Sequence, residues 1–88
     1  MVRLRIPRVL RRYSGGAEEV AVHGATVAEA LDELFRLWPD LRLRVLDARG
    51  DVHPYLRLFR DDAELPRVLN TALADGDIVE IVAAAAGG

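Results

Sequence analysis

Apolar and polar residues alternate along four stretches of this chain and recur at helical spacing along one. Val2-Arg3-Leu4-Arg5-Ile6 has the period of two that marks a half-buried strand, and Pro7 ends it. Ser14-Gly15-Gly16 is a turn signal, and Glu19-Val20-Ala21-Val22-His23 then makes a hairpin with the first strand. The intervening Val9 to Tyr13 reads either as a short helical turn or as a long loop. Thr26 opens the clearest helix. Thr26-Val27-Ala28-Glu29 fits the capping box, in which Thr and Glu satisfy each other's free backbone donors. Val27, Ala30, Leu31, Leu34, Phe35 and Trp38 form one apolar stripe, and Pro39 stops the helix because the residue before a proline avoids the α region. Leu41 to Leu46 reads as a second, short helix. Tyr55 to Arg60 is a third strand closed by the polar turn Asp61-Asp62. Leu65 to Leu73 is irregular, with room for a short strand. Asp75-Gly76-Asp77 is a tight turn, with Gly76 suited to positive φ, and Ile78 to Val82 is the last strand.

The order β-β-α-β-β predicts an α+β domain, a mixed sheet packed on one main helix, in outline the β-grasp (ubiquitin-like) fold. We expect this domain over residues 1–82 and a flexible C-terminal tail over 83–88, Ala83-Ala84-Ala85-Ala86-Gly87-Gly88. Eighty-eight residues allow one domain with one modest core. Hydrophobic residues make up 51% and charged residues 30%, as in ordinary globular domains. No stretch approaches a membrane span and the start lacks an apolar signal-peptide core, so a cytoplasmic location is expected. The net charge of -2 does not point to a nucleic-acid or membrane partner. All twelve basic residues are Arg, so no side chain of this protein can accept an isopeptide bond. The absence of Cys excludes disulfides, Cys-based zinc sites, Fe–S clusters and a thiol nucleophile.

The stretch Leu73-Ala74-Asp75-Gly76-Asp77-Ile78-Val79-Glu80-Ile81-Val82, followed by Ala86-Gly87-Gly88, resembles the ending of the MoaD/ThiS family of ubiquitin-like sulfur carriers. The resemblance covers essentially the whole chain. Ile6-Pro7-Arg8-Val9-Leu10-Arg11 with Tyr13-Ser14-Gly15-Gly16 is most similar to the CysO branch, carriers for cysteine biosynthesis. Two departures stand out. Ala83-Ala84 occupy positions where many relatives carry a proline, and Asp61-Asp62 replaces the usual Asn-Gly or Asn-Asp turn.

The resemblance implies a carrier rather than an enzyme. Gly88 is the residue whose carboxylate an E1-like (MoeB/ThiF-like) enzyme adenylates and converts to a thiocarboxylate, with Gly87 as the slender lead-in. No cofactor is bound by the carrier itself, since ATP-Mg is used by the activating enzyme. A downstream sulfur-accepting synthase is the second partner. Strand alternation places Leu4, Ile6, Leu56, Leu58, Val79 and Ile81 on the core side. Arg3, Arg5, Arg57, Phe59, Ile78, Glu80 and Val82 then point away. Exposed apolar residues beside arginines have the composition of a partner surface. The expected contact residues are therefore Phe59, Arg57, Ile78, Glu80 and Val82 with the tail residues Ala83, Ala84, Ala85 and Ala86. The alternative is that the apolar residues pack under loops and the arginines are only solvated.

Other features carry less. His23 and His53 lack partners at metal-ligand spacing, and Gly15-Gly16 lacks the lysine and the context of a phosphate loop. Tyr55 fits either core or patch. Three further readings stay open: a molybdopterin synthase small subunit, a ubiquitin-like modifier joined through Gly88 to lysines of other proteins, and a plain interaction domain with an incidental Gly-Gly ending.

Overall fold

In the computed structural model, which describes residues 1–84, β1 (Val2–Arg5) and β2 (Glu19–Val22) form the expected hairpin. Val2 pairs with Val22 and Arg5 with Glu19. Arg8–Tyr13 between them is a 3-10 helix, which settles the choice between helical turn and loop. Pro7 suits its start, with φ −64° and ψ 149°, and Leu10 anchors it in the core. The turn that follows buries Ser14 completely. Its hydroxyl lies within hydrogen-bonding distance of the carbonyls of Arg11 (3.2 Å) and Ala17 (3.0 Å), so no polar group is stranded.

Helix α1 spans Val27–Leu37, with Thr26 as N-cap. The Glu29 N–H donates to Thr26 Oγ1 at 3.2 Å. The Glu29 carboxylate reaches back to the N–H of Ala25 at 3.0 Å, one residue earlier than a regular capping box would have it. Trp38 closes the helix, its N–H donating to the Leu34 carbonyl at 2.8 Å. A 3-10 turn, Pro39–Leu41, and the single-turn helix α2 (Arg42–Val45) follow.

The remaining strands are β3 (Leu56–Arg60), β4 (Ala63–Glu64) and β5 (Ile78–Ala83). The sheet order is β2-β1-β5-β3-β4, with β1 and β5 parallel and the other neighbours antiparallel. Asp61 and Asp62 both adopt positive φ, 51° and 65°, which gives the two-residue hairpin turn whose twist matches the flanking strands. Short acidic side chains tolerate that conformation better than most. The short strand expected somewhere within 65–73 lies instead at 63–64, because this turn brings Ala63 straight back onto Arg60.

The last strand also runs further than expected. Ala83 pairs with Leu56, and the Ala84 N–H donates to the Tyr55 carbonyl at 2.6 Å. Two alanines assigned to the tail are thus part of the ladder. All six residues expected on the inner face of the sheet are at most 3% exposed, against Leu31, Leu34 and Phe35 of α1. A fully buried side chain of this size contributes about 1.5–3 kcal/mol.

Candidate functional site

The face of the sheet away from α1 carries the candidate site. Register alone fixes its layout. Arg5 stands opposite Glu19 on one side and Glu80 on the other; Phe59 stands opposite Glu80 and Glu64. Glu19, Arg5, Glu80, Phe59 and Glu64 therefore form one row across all five strands, about 19 Å long at the usual strand spacing. Arg3 and Ile78 sit in a neighbouring row on one side, Arg57 and Val82 on the other, nearer the end of β5.

The charges on this face largely compensate one another at its margins. Glu19 accepts from Arg3 (3.3 Å) and Arg5 (3.0 Å), while Arg57 reaches Glu64 at 2.9 Å. Because Arg5 turns toward Glu19, the carboxylate of Glu80 is left at the centre beside Phe59 and Ile78. Ile78 is 44% exposed, Phe59 and Val82 are half-buried, and Arg57 and Glu80 are exposed. The centre is thus apolar with one acidic group, and the rim is a set of solvated ion pairs worth little individually.

At the end of the sheet where β5 leaves, an open groove of about 440 Å³ is lined by Pro7, Arg8, Val9, Arg11, Val82 and Ala83. The 3-10 helix after β1 makes one wall of it. Sequence reasoning missed this wall: Pro7 to Arg11 entered it as a strand end, a connection and a mark of family resemblance, and not as a surface.

Of the expected contact residues, Phe59, Arg57, Ile78, Glu80, Val82, Ala83 and Ala84 are brought to this face or to its edge. Ala85, Ala86, Gly87 and Gly88 lie outside the described residues. Tyr55 is neither core nor part of the patch centre. It is 42% exposed, its ring stacks on His53 at 5.2 Å, and its hydroxyl donates to the Arg44 carbonyl at 2.9 Å. His53 Nε2 lies 3.0 Å from the Leu43 carbonyl, a loop-holding contact. Among the described residues no cluster of three His, Cys, Asp or Glu is placed to hold a metal ion, and no helix is long and apolar enough to cross a membrane.

Three carboxylates are held below their ordinary values, all away from the patch. Arg36 hydrogen-bonds Glu33, the backbone N–H of Asp51 does so for Asp47, and the amino group of Met1 does so for Asp75. The face is thus an exposed surface, apolar at its centre and charged at its rim, next to the end of β5.

Comparison with known proteins agrees with this arrangement. The chain matches the ThiS family over residues 4–88. It is 32% identical over 91 residues to the sulfur carrier protein CysO of Mycobacterium tuberculosis, covering 99% of this chain and 98% of that protein. It superposes on a chain of the Amycolatopsis orientalis BexX/CysO complex with a TM-score of 0.89 at 30% identity, covering 100% of both chains. For the crystal structure of Mycobacterium tuberculosis CysO the TM-score is 0.86 at 30% identity, covering 97% of this chain and 100% of that one. For the small archaeal modifier protein 1 of Haloferax volcanii it is 0.80 at 26% identity, covering 96% and 97%. The mixed five-stranded sheet on one helix is the ubiquitin-like β-grasp fold of the CysO structures.

Proposed function

This chain belongs to the ThiS family, and we propose that it carries sulfur as a thiocarboxylate on Gly88. A carboxylate is a poor acyl donor until one of its oxygens becomes part of a leaving group. An E1-like enzyme holding ATP-Mg joins a carboxylate oxygen of Gly88 to the α-phosphorus, and pyrophosphate leaves. A sulfur donor then attacks the acyl carbon, AMP leaves, and sulfur stands where oxygen was. The observation that carries this reading is that the family match runs through Gly88 itself, in a chain aligned over nearly its whole length with a sulfur carrier.

The division of labour follows from the site. The carrier supplies a carboxylate on two residues without side chains, and the partner supplies the catalysis. Glycine at 87 and 88 leaves nothing to obstruct a narrow channel. The open sheet face docks the partner: Phe59, Ile78 and Val82 give apolar anchors, Arg57 and Glu80 orient the complex, and Ala83 to Ala86 add contacts to the partner. A sulfur-accepting synthase uses the same end of the molecule in the next step. The likeness to CysO carriers supports cysteine synthesis as the destination of the sulfur.

A second reading has its own observation. The likeness to a small archaeal modifier protein supports transfer of Gly88 to lysines of other proteins. It predicts Gly-Gly remnants on lysines in a proteome digest, which a dedicated sulfur carrier does not leave.

Exchange of radiolabelled pyrophosphate into ATP tests the activation step. With the E1-like enzyme of the same organism, exchange depends on this chain and is lost with Gly88→Ala, which keeps the wild-type melting temperature. Equal exchange with the variant would contradict the assignment of Gly88.

A further inference from the structure

We propose that Arg67 is a positioning residue for the carrier's end, holding the segment 52–56 on which Ala83 and Ala84 are fastened; the proposal rests on the carrier reading above. The need for it arises from the shortness of β4. That strand pairs only with Phe59 and Arg60, and one more bond, from the Leu65 N–H to the Leu58 carbonyl at 2.7 Å, extends the contact. Among the described residues no strand lies beside the outer edge of β3 at Leu56. The guanidinium of Arg67 takes that place. Its Nη1 donates to the Leu56 carbonyl at 2.9 Å, and Nη2 reaches the carbonyls of Val52 and His53, each at 2.8 Å.

These three acceptors belong to the segment that ends the β5 ladder. Leu56 pairs with Ala83, and the Tyr55 carbonyl accepts the Ala84 N–H at 2.6 Å. The same segment is tied on its other side by the Leu46–Val52 bridge and by the Tyr55 hydroxyl on the Arg44 carbonyl. Arg67 thus acts on Ala83 and Ala84 through residues 55 and 56. A planar fork with five donors can bridge three carbonyls, whereas a lysine ammonium is a point charge that cannot span them. Hydrogen bonds from a charged donor are also the strong ones. When a carboxylate must meet the α-phosphorus in line, a displacement of about 1 Å far from the reacting atoms can cost on the order of 100-fold in rate.

The test uses Arg67→Ala and Arg67→Lys, with Thr26→Ala as a variant that loses stability through the N-cap of α1 and none of the Arg67 hydrogen bonds. Amide exchange at Ala84 and Ile81 is followed by NMR, and carrier-dependent pyrophosphate release is measured with the E1-like enzyme. Arg67→Ala speeds exchange at Ala84 but not at Ile81. It lowers kcat about tenfold with KM for the carrier unchanged within about twofold, the pattern of lost positioning rather than lost docking. Arg67→Lys behaves like Arg67→Ala and, if the alanine variant does not fold, carries the test alone. Thr26→Ala lowers the melting temperature and moves neither readout. Wild-type Ala84 exchange and kcat in folded Arg67→Lys would overturn the proposal. Failure of the wild-type chain to be activated would overturn the carrier reading, and Ala84 exchange would still decide whether Arg67 holds the end of β5.

Discussion

Replacing Gly24 with alanine inserts one methyl group between β2 and α1. Built on the Gly24 backbone, the new Cβ stands 2.5 Å from the Ala30 nitrogen, 2.7 Å from its Cα and 3.0 Å from its Cβ. Two of these are backbone atoms of the first helical turn, where the Ala30 N–H donates to the Thr26 carbonyl at 3.0 Å. Carbon contacts prefer roughly 3.5–4.0 Å, so loop and helix must part by about 1 Å. Overpacking of this kind costs about 1–3 kcal/mol. For a domain of this size, each kcal/mol lowers Tm by roughly 4–8 °C, so a cost of about 2 kcal/mol predicts a loss of roughly 8–16 °C. Gly16→Ala is the contrast. Its Cβ meets nothing within 4 Å, but φ is +84°, so the cost is backbone strain of about 1–2 kcal/mol. Thermal melts followed by circular dichroism compare the two. A Gly24→Ala protein melting within about 2 °C of wild type would refute the steric argument.

Thr26→Ala removes the acceptor for the Glu29 N–H and is expected to cost about 1 kcal/mol, read as a lower denaturation midpoint; an unchanged midpoint would show that the cap contributes nothing. Phe59→Ala leaves folding near wild type because the ring is only half-buried, yet weakens binding to the E1-like enzyme by about 2 kcal/mol, or ~30-fold in Kd by titration calorimetry. Equal affinity would place the docking surface elsewhere. Acid stability follows from Glu33, Asp47 and Asp75, each held below its ordinary value by a hydrogen-bond donor. A depressed carboxylate contributes stability above its unfolded pKa of about 4 and loses it as pH falls through the folded value. Tm should therefore decline on acidification below about pH 4, less steeply in Asp47→Asn; a rise over that range would contradict the sign.

The parts of the fold legible in the sequence are those with a repeating physical signal. Alternation located β1, β2, β3 and β5 and assigned the faces of β1, β3 and β5 correctly, because a strand with one buried face must alternate. Capping chemistry and the apolar stripe located α1, though not that Glu29 would seek Ala25. Strand β4 was misplaced because two exposed residues carry no periodicity, and what makes them a strand is the left-handed pair Asp61 and Asp62. The end of β5 was drawn at Val82 because an alanine run has no pattern; the partner that continues the ladder, Leu56, is remote in sequence. The outward rows of the candidate site were legible for the same reason as the core. Arg67 was not. Nothing in its local sequence sets it apart from the other eleven arginines, and its three acceptors are backbone carbonyls that no side-chain spacing encodes.

Intact-protein mass spectrometry, after incubation with the E1-like enzyme, ATP-Mg and a sulfide source, reads the proposed chemistry on the chain itself. The expected result is a product in which one oxygen is replaced by sulfur, with the change localised to Gly88 by fragmentation. An unchanged mass, with no adenylate formed by an enzyme that activates its own known carrier, would contradict the sulfur-carrier account.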